Sequence, residues 1–125
     1  MTWEYFTYAE FDSPDAPGSG ELHMDNHFIN SLEYAREDAG IAFVITSGYR
    51  TREYNDKLRA QGYATSRKSA HIKGLAADIA TRNSEERYII LCALINEGYT
   101  RIGIGPDFLH VDADESKADG VVWLY

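Results

Sequence analysis

A single carboxylate, Asp78, interrupts the otherwise apolar run of residues 75–80 (LAADIA). The length and composition of this run predict a core strand, and Asp78 would therefore be buried within it. An unpaired buried charge costs several kcal/mol or more, and a cation is the simplest partner for it. The sequence therefore requires a fold that brings a positive charge to this strand.

Two histidines allow that cation to be a bound metal ion. His71 lies seven residues before Asp78, with Gly74 between them, and His110 lies in a second β-rich run, residues 108–112 (FLHVD). Two imidazoles and one carboxylate suit Zn²⁺, and three protein ligands leave the fourth position open for water. We predict a Zn²⁺ site formed by His71, Asp78 and His110.

Two further aspartates compete for roles at this site. Asp112 lies two residues after His110, and residues two apart on a strand share a face. It can replace Asp78 as a ligand. Alternatively, it can orient a histidine by a hydrogen bond to the ring nitrogen that does not bind the metal. Asp107 precedes His110 by three residues and points away in a regular strand, so it reaches the site only if the chain bends at Gly105 and Pro106. Otherwise Asp107 is a turn aspartate.

Periodicity and breaker residues predict an α+β domain. The expected order is an extended segment with a loop (1–24), a helix capped by Asp25 or Asn26 and ended by Gly40, a strand (41–46), a helix capped by Thr51, a strand (75–80), a helix capped by Ser84 (85–97), and strands at 99–104, 108–112 and 121–125. Late strands joined by short turns favour a small antiparallel sheet, and the helices would pack on it. Residues 12–20, with two prolines and two glycines, predict a loop.

Composition limits the classes of function. The 125 residues fit one domain, 1–125, and we expect a monomer. The net charge of −8 disfavours a nucleic-acid partner, and no apolar run approaches the roughly 18 residues of a membrane span. A lone cysteine, Cys92, excludes an intramolecular disulfide, and residues 1–5 lack the pattern of a secretory signal.

Three motifs, in this order and at these separations, resemble the zinc D-alanyl-D-alanine carboxypeptidase family: SGYR at 47–50, SAHIKGLAAD at 69–78 and HVD at 110–112. That family also holds phage L-alanyl-D-glutamate endopeptidases and D,D-dipeptidases, and it shares its fold with the hedgehog signalling domain. The resemblance covers about residues 40–125. It implies the hedgehog/DD-peptidase fold and a zinc ion held by His71, Asp78 and His110.

The resemblance also implies roles for residues around the metal. Arg50 would lie near the scissile carbonyl, and Ser69 would lie close to the bound peptide. Tyr49 is a further substrate-binding candidate, with packing as the other interpretation. Members of the family commonly place an acidic catalytic residue three positions before the last histidine, where this chain has Asp107. Many members have glutamate there with a tryptophan next to the histidine, whereas this chain reads DFLH at 107–110.

The function implied is that of a zinc peptidase acting on the stem peptides of bacterial peptidoglycan, as a phage-type endolysin or a D,D-carboxypeptidase. Such a lysin would be made in the cytoplasm and reach the cell wall by a route other than a signal peptide. The alternative is a zinc-stabilised binding module of the same fold without turnover. Asp107 discriminates between the two, because an enzyme needs a proton carrier and a binding module does not.

Overall fold

The computed structural model of the protein describes residues 2–125. A 3₁₀ turn, Tyr8–Phe11, is followed by α1 (Ser19–His23), α2 (Asn26–Ala39), β1 (Ile45–Ser47), α3 (Arg52–Ala60), β2 (Ala76–Ala80), α4 (Ser84–Asn96), β3 (Arg101–Ile104), β4 (Phe108–Asp112) and β5 (Val121–Leu124). The predicted α+β class is confirmed. None of the helices in residues 2–125 has the length and apolar character needed to cross a membrane.

The five strands form one mixed sheet in the order β1-β2-β4-β3-β5. Three neighbouring pairs are antiparallel, as predicted, whereas β3 and β5 are parallel. The difference arises because residues 113–120 carry the chain past β3 to the far edge of the sheet. Both β3 and β5 run antiparallel to the direction of β4, so β3 and β5 are parallel to each other.

The two faces of the sheet have different chemistry. One face packs with α2 and α4 into a single apolar core, whose buried members include Phe28, Ile29, Leu32, Ile79, Ile90, Leu94, Ile102, Leu109 and Val111. The strand residues between these core positions point to the opposite face, because side chains alternate along a strand. Asp78 and His110 both lie on that opposite face, away from the core.

The helices begin where side chains can accept the first free backbone N–H groups. Asp25 accepts a hydrogen bond from the Phe28 amide in α2, and Thr51 accepts one from the Tyr54 amide in α3, as the sequence predicts. In α4 the cap is Asn83, not Ser84, because the Asn83 side chain accepts from the Glu86 amide at 2.8 Å. A serine and an asparagine both suit this position, so their order alone does not distinguish them.

The amino-terminal region is more structured than predicted. Residues 3–11, expected to be extended, include the 3₁₀ turn, and residues 12–20, expected to be a loop, contain the start of α1. The carboxylate of Asp12 organises the second segment by accepting hydrogen bonds from the Gly18 and Gly20 amides. The strand predicted at 41–46 is shorter and later, at Ile45–Ser47, where the pairing with β2 is irregular.

Candidate metal centre

A row of residues crosses the sheet at the level of Asp78. In the strand register, Asp78 lies directly opposite His110, and Gly103 of β3 lies beside His110. Trp123 of β5 is in register with Gly103. A Cβ atom at position 103 would lie 2.6 Å from the Trp123 indole nitrogen, so glycine is what allows the indole to cover β3. Strand pairing thus places a carboxylate, an imidazole and an indole side by side.

His71 reaches the site from the turn that precedes β2. Ser69 Oγ accepts a hydrogen bond from the His71 amide, and the His71 carbonyl accepts one from the Arg50 amide. Gly74 closes this turn with a φ of +71°, and a Cβ atom there would lie 1.9 Å from the His23 carbonyl oxygen. The glycine between His71 and Asp78 is therefore required by the close approach of two backbone segments.

The three predicted ligands converge. His71 Nε2 lies 3.3 Å from Asp78 Oδ1, and His110 Nδ1 lies 2.9 Å from the same oxygen. One ligand atom from each residue lies within 4.8 Å of the others. Tetrahedral zinc with bonds of about 2.0–2.1 Å separates its ligand atoms by roughly 3.3 Å, so the donor set fits zinc in both chemistry and spacing.

The hydrogen bonds behind the two histidines fix which nitrogen is free. His71 Nδ1 lies 2.7 Å from the Gly48 carbonyl, which can only accept, so this nitrogen carries the proton and Nε2 keeps its lone pair. His110 Nε2 lies 2.7 Å from Asp112 Oδ2, which leaves Nδ1 free to face Asp78. Asp112 therefore orients a histidine, one of the two roles that the sequence left open.

Burial and charge act together on the ionisation of the site. Burial lowers the pKa of His71, and this favours the neutral imidazole that a metal requires. Burial raises the pKa of Asp78, but the two histidines outweigh that effect and hold it well below the usual range of an aspartate. Burial also lowers the pKa of His110, yet the hydrogen bonds to Asp112 and Asp78 raise it more.

Arg50 lies beside the three candidate ligands. Its Nε donates to Ser47 Oγ at 3.0 Å, and its Nη1 donates to Thr65 Oγ1 at 3.2 Å. Its Nη2 lies 3.3 Å from Asp78 Oδ2. Only about 11% of the Arg50 side chain is exposed, so the guanidinium is held in one orientation at the edge of the metal centre.

The two other predicted substrate-binding residues lie in different places. Ser69 lines a cavity that opens over the three candidate ligands, and it lies next to His71 there. The Tyr49 ring stacks on the His23 ring with centroids 4.5 Å apart and packs against the core, and Tyr49 is not among the residues lining the cavity. This position favours the packing interpretation of Tyr49.

Asp107 lies outside the cavity. It is exposed on the turn between β3 and β4, where its backbone carbonyl accepts a hydrogen bond from the Thr81 amide at 2.8 Å. The bend at Gly105 and Pro106 closes a tight turn, with the Gly105 amide donating to the Phe108 carbonyl, and does not carry Asp107 to the metal centre. In this structure Asp107 has the position of a turn aspartate.

A cavity of about 540 Å³ opens over the metal centre. The lining residues absent from the sequence-based site include Arg101, Lys117, Trp123 and Tyr125. The alternation of positions 121, 123 and 125 could have placed the two aromatic side chains on one face of β5. No local pattern indicates that β5 pairs with β3, and this pairing is what brings them to the cavity.

Comparison with known proteins identifies the chain's relatives. The model of the Peptidase M15 family matches residues 4–112, most of the chain, including all three predicted ligands. A search of curated proteins found no match. The resemblance drawn from the three motifs is confirmed, and the chain belongs to the peptidase M15 family of zinc-dependent peptidases.

Proposed function

We propose that the protein hydrolyses peptide bonds in the stem peptides of bacterial peptidoglycan, as a phage-type endolysin or as a D,D-carboxypeptidase. The observation that carries this proposal is the meeting of His71, Asp78 and His110 at the base of a cavity that Arg50 also lines. A bound zinc ion would polarise a peptide carbonyl and make a water molecule acidic enough to attack it near neutral pH.

Arg50 has the position needed to stabilise the attacked carbonyl. Its guanidinium is fixed by Ser47 and Thr65, so it would not have to reorganise as negative charge develops on the substrate oxygen. Ser69 also lines the cavity, and its oxygen is oriented by the His71 amide. Its hydroxyl proton is available to a carbonyl of the bound peptide.

A proton must pass from the attacking water to the leaving amine. Of the two carboxylates that line the cavity, Asp78 is a ligand and Asp112 is held by His110 and Arg101. Asp107 could serve only if the turn before β4 moved its side chain into the cavity. The Tyr125 phenol already lines the cavity, and burial raises its pKa, so it is protonated, can give its proton to the leaving amine and can then take up the proton that the attacking water releases.

The outward position of Asp107 favours one alternative, a zinc-stabilised binding module without turnover. Such a module would hold the same metal and bind a peptide in the same cavity, but it would need no proton carrier. The two functions differ in whether a bond is broken.

The deciding experiment is incubation of the protein, loaded with stoichiometric zinc, with purified peptidoglycan, followed by mass analysis of the soluble fragments. Release of free D-alanine identifies a carboxypeptidase, and new amino termini within the stem identify an endopeptidase. Asp78→Asn is the matched control. Intact peptidoglycan after incubation with the zinc-loaded wild type would contradict the enzyme and favour the binding module.

A further inference from the structure

We propose that Arg101 and Lys117 form a subsite that binds a free carboxylate of the substrate, close to the bond that is cleaved. This inference rests on the proposed function for the identity of the substrate as a peptide. It adds the requirement that the peptide be anionic near the metal centre.

Arg101 is held in place but keeps a free donor. Its Nε donates to Asp112 Oδ1 at 2.7 Å, and its Nη1 donates to the Ala118 carbonyl. Its guanidinium carbon lies 5.0 Å from the Trp123 ring, so one face of the group is covered. Within residues 2–125, Nη2 has no hydrogen-bond acceptor, and the planar fork of arginine suits a carboxylate.

Lys117 also lines the cavity, and its charge is only loosely neutralised. Its nearest carboxylate is Asp114, with Nζ 3.7 Å from Oδ2, beyond hydrogen-bond distance. Asp114 is already bound by Lys73, whose Nζ lies 3.1 and 2.9 Å from its two oxygens, and by Ser116. The Lys117 ammonium therefore has donors available for a ligand.

The charges of the cavity oppose those of the whole protein. The chain carries a net charge of −8, yet the cavity is lined by Arg50, Arg101 and Lys117 against Asp78 and Asp112. A divalent metal ion would make this excess of positive charge larger. A carboxylate is therefore attracted into the cavity even though the protein as a whole repels anions.

Two of the three cationic side chains of the cavity, Arg101 and Lys117, lie together, whereas Arg50 contacts Asn55 of α3 and Thr65 of the loop after it. The lining side chains of α3 and the following loop are uncharged, among them Tyr54, Leu58, Tyr63 and Ser66. Arg101 and Lys117 also border a neighbouring groove lined by Asp114, Glu115 and Asp119, but those three carboxylates do not line the cavity itself.

The subsite adjoins the metal centre through Asp112, which contacts both His110 and Arg101. His110 and Asp112 are two strand residues apart, about 7 Å, and an extended peptide covers the same distance in two residues. The bound carboxylate therefore belongs to a residue next to the cleaved bond or one further away. In a stem peptide it is either the α-carboxylate of D-glutamate or the carboxyl terminus.

Three synthetic stem peptides distinguish these sources: one with all carboxylates free, one amidated at D-glutamate and one amidated at the carboxyl terminus. Each is titrated into zinc-loaded wild type, Lys117→Met and the control Lys57→Met, which removes an exposed lysine of α3 outside the cavity. The readout is Kd by calorimetry for a peptide that is not cleaved, and KM for one that is.

We expect one of the two amidations to weaken binding of the peptide to the wild type by about tenfold. High salt should weaken the binding of only those peptides that keep that carboxylate. Lys117→Met should discriminate among the three peptides less than the wild type does, because only Arg101 remains to bind the carboxylate, while Lys57→Met behaves as the wild type. Equal affinity of the wild type for all three peptides, no measurable binding, or undiminished discrimination by Lys117→Met would overturn the subsite. Binding with discrimination but no cleavage would instead contradict the peptidase and leave the subsite standing.

Discussion

Asp78 and His110 face each other across the antiparallel pairing of β2 and β4, with His110 Nδ1 2.9 Å from Asp78 Oδ1. The positions of both candidate ligands therefore depend on one strand register. A shift of β4 by one residue would turn His110 to the helix side of the sheet and place a core residue, Leu109 or Val111, at the metal centre. The apolar alternation of β4 holds the register that the metal requires.

Removing zinc should destabilise the protein, because an ion that binds only the folded donor set stabilises the folded state, and Asp78 would keep only Arg50 as a permanently charged partner. With free zinc near 1,000 times Kd, the bound ion contributes about 4 kcal/mol, so a chelator should lower Tm by about 10 °C or more. Calorimetry with and without chelator measures the shift. Asp78→Asn should reduce it strongly, and His27→Ala, which changes an exposed histidine away from the site, should not. An unchanged Tm after verified metal removal would contradict the ligand assignment.

Asp112→Asn should weaken zinc binding without unfolding the protein. The carboxylate of Asp112 accepts from His110 Nε2 and so keeps Nδ1 free for the metal. The amide can present its NH₂ group to Nε2 instead and favour the other tautomer. We expect a loss of about 10–100-fold in zinc affinity, measured by competition with a chromogenic chelator. An affinity equal to that of the wild type would show that Asp112 does not select the tautomer.

Arg50→Lys should lower kcat by about 100-fold or more while zinc content stays near stoichiometric. The guanidinium contacts Ser47, Thr65 and Asp78 through three different nitrogens, and a lysine ammonium cannot reproduce that geometry. Steady-state kinetics on the cleaved stem peptide, with metal analysis of the same sample, separates catalysis from metal loss. A rate within a few-fold of the wild type would remove Arg50 from the mechanism.

Asp107→Asn should keep most of the wild-type kcat, because the Asp107 side chain is exposed outside the cavity. Tyr125→Phe should lower kcat by about 100-fold, since it removes the hydroxyl available to the leaving group. The two variants are compared on one substrate at saturating concentration. The reverse result, a large loss with Asp107→Asn alone, would mean that the turn between β3 and β4 rearranges when substrate binds.

Asp114 should make stability depend on pH in the acid range. Burial raises the pKa of Asp114, but hydrogen bonds from Ser116 and Lys73 outweigh it and lower the pKa to about 2. A depressed pKa stabilises the fold above the unfolded value near 3.8, and this contribution is lost as pH falls through about 2. Asp114→Asn should therefore cost about 2 kcal/mol at pH 7, and this difference should shrink as pH falls from about 4 to about 2. Urea unfolding of the wild type and of Asp114→Asn across this pH range measures the difference in their free energies of unfolding. A difference that does not change with pH would exclude the ion pair of Asp114 as its cause.

Local sequence patterns were sufficient for the elements that have local causes. The caps at Asp25 and Thr51 satisfy nearby backbone amides, and Gly40 ends α2 at a positive φ, so each can be recognised within a few residues. Asp78 could be recognised as a candidate metal ligand because a charge inside an apolar strand needs a partner wherever the strand lies.

Roles that depend on strand pairing could not be predicted in this way. Whether Asp107 enters the cavity depends on how the turn after β3 closes, and Tyr49 is directed to the core by its stacking on His23. Arg101 and Lys117 reach the cavity because the chain crosses to the far edge of the sheet before β5.

The sequence by itself therefore determined the family, the α+β class and the three candidate ligands, since burial of a charge and spacing along the chain are local constraints. Only the tertiary structure decided that Asp112 orients His110, that Asp107 lies outside the cavity, and that Arg101 and Lys117 line it. The physical reason is that these relationships join residues from separate strands and turns, and the register of the sheet sets the distances between them.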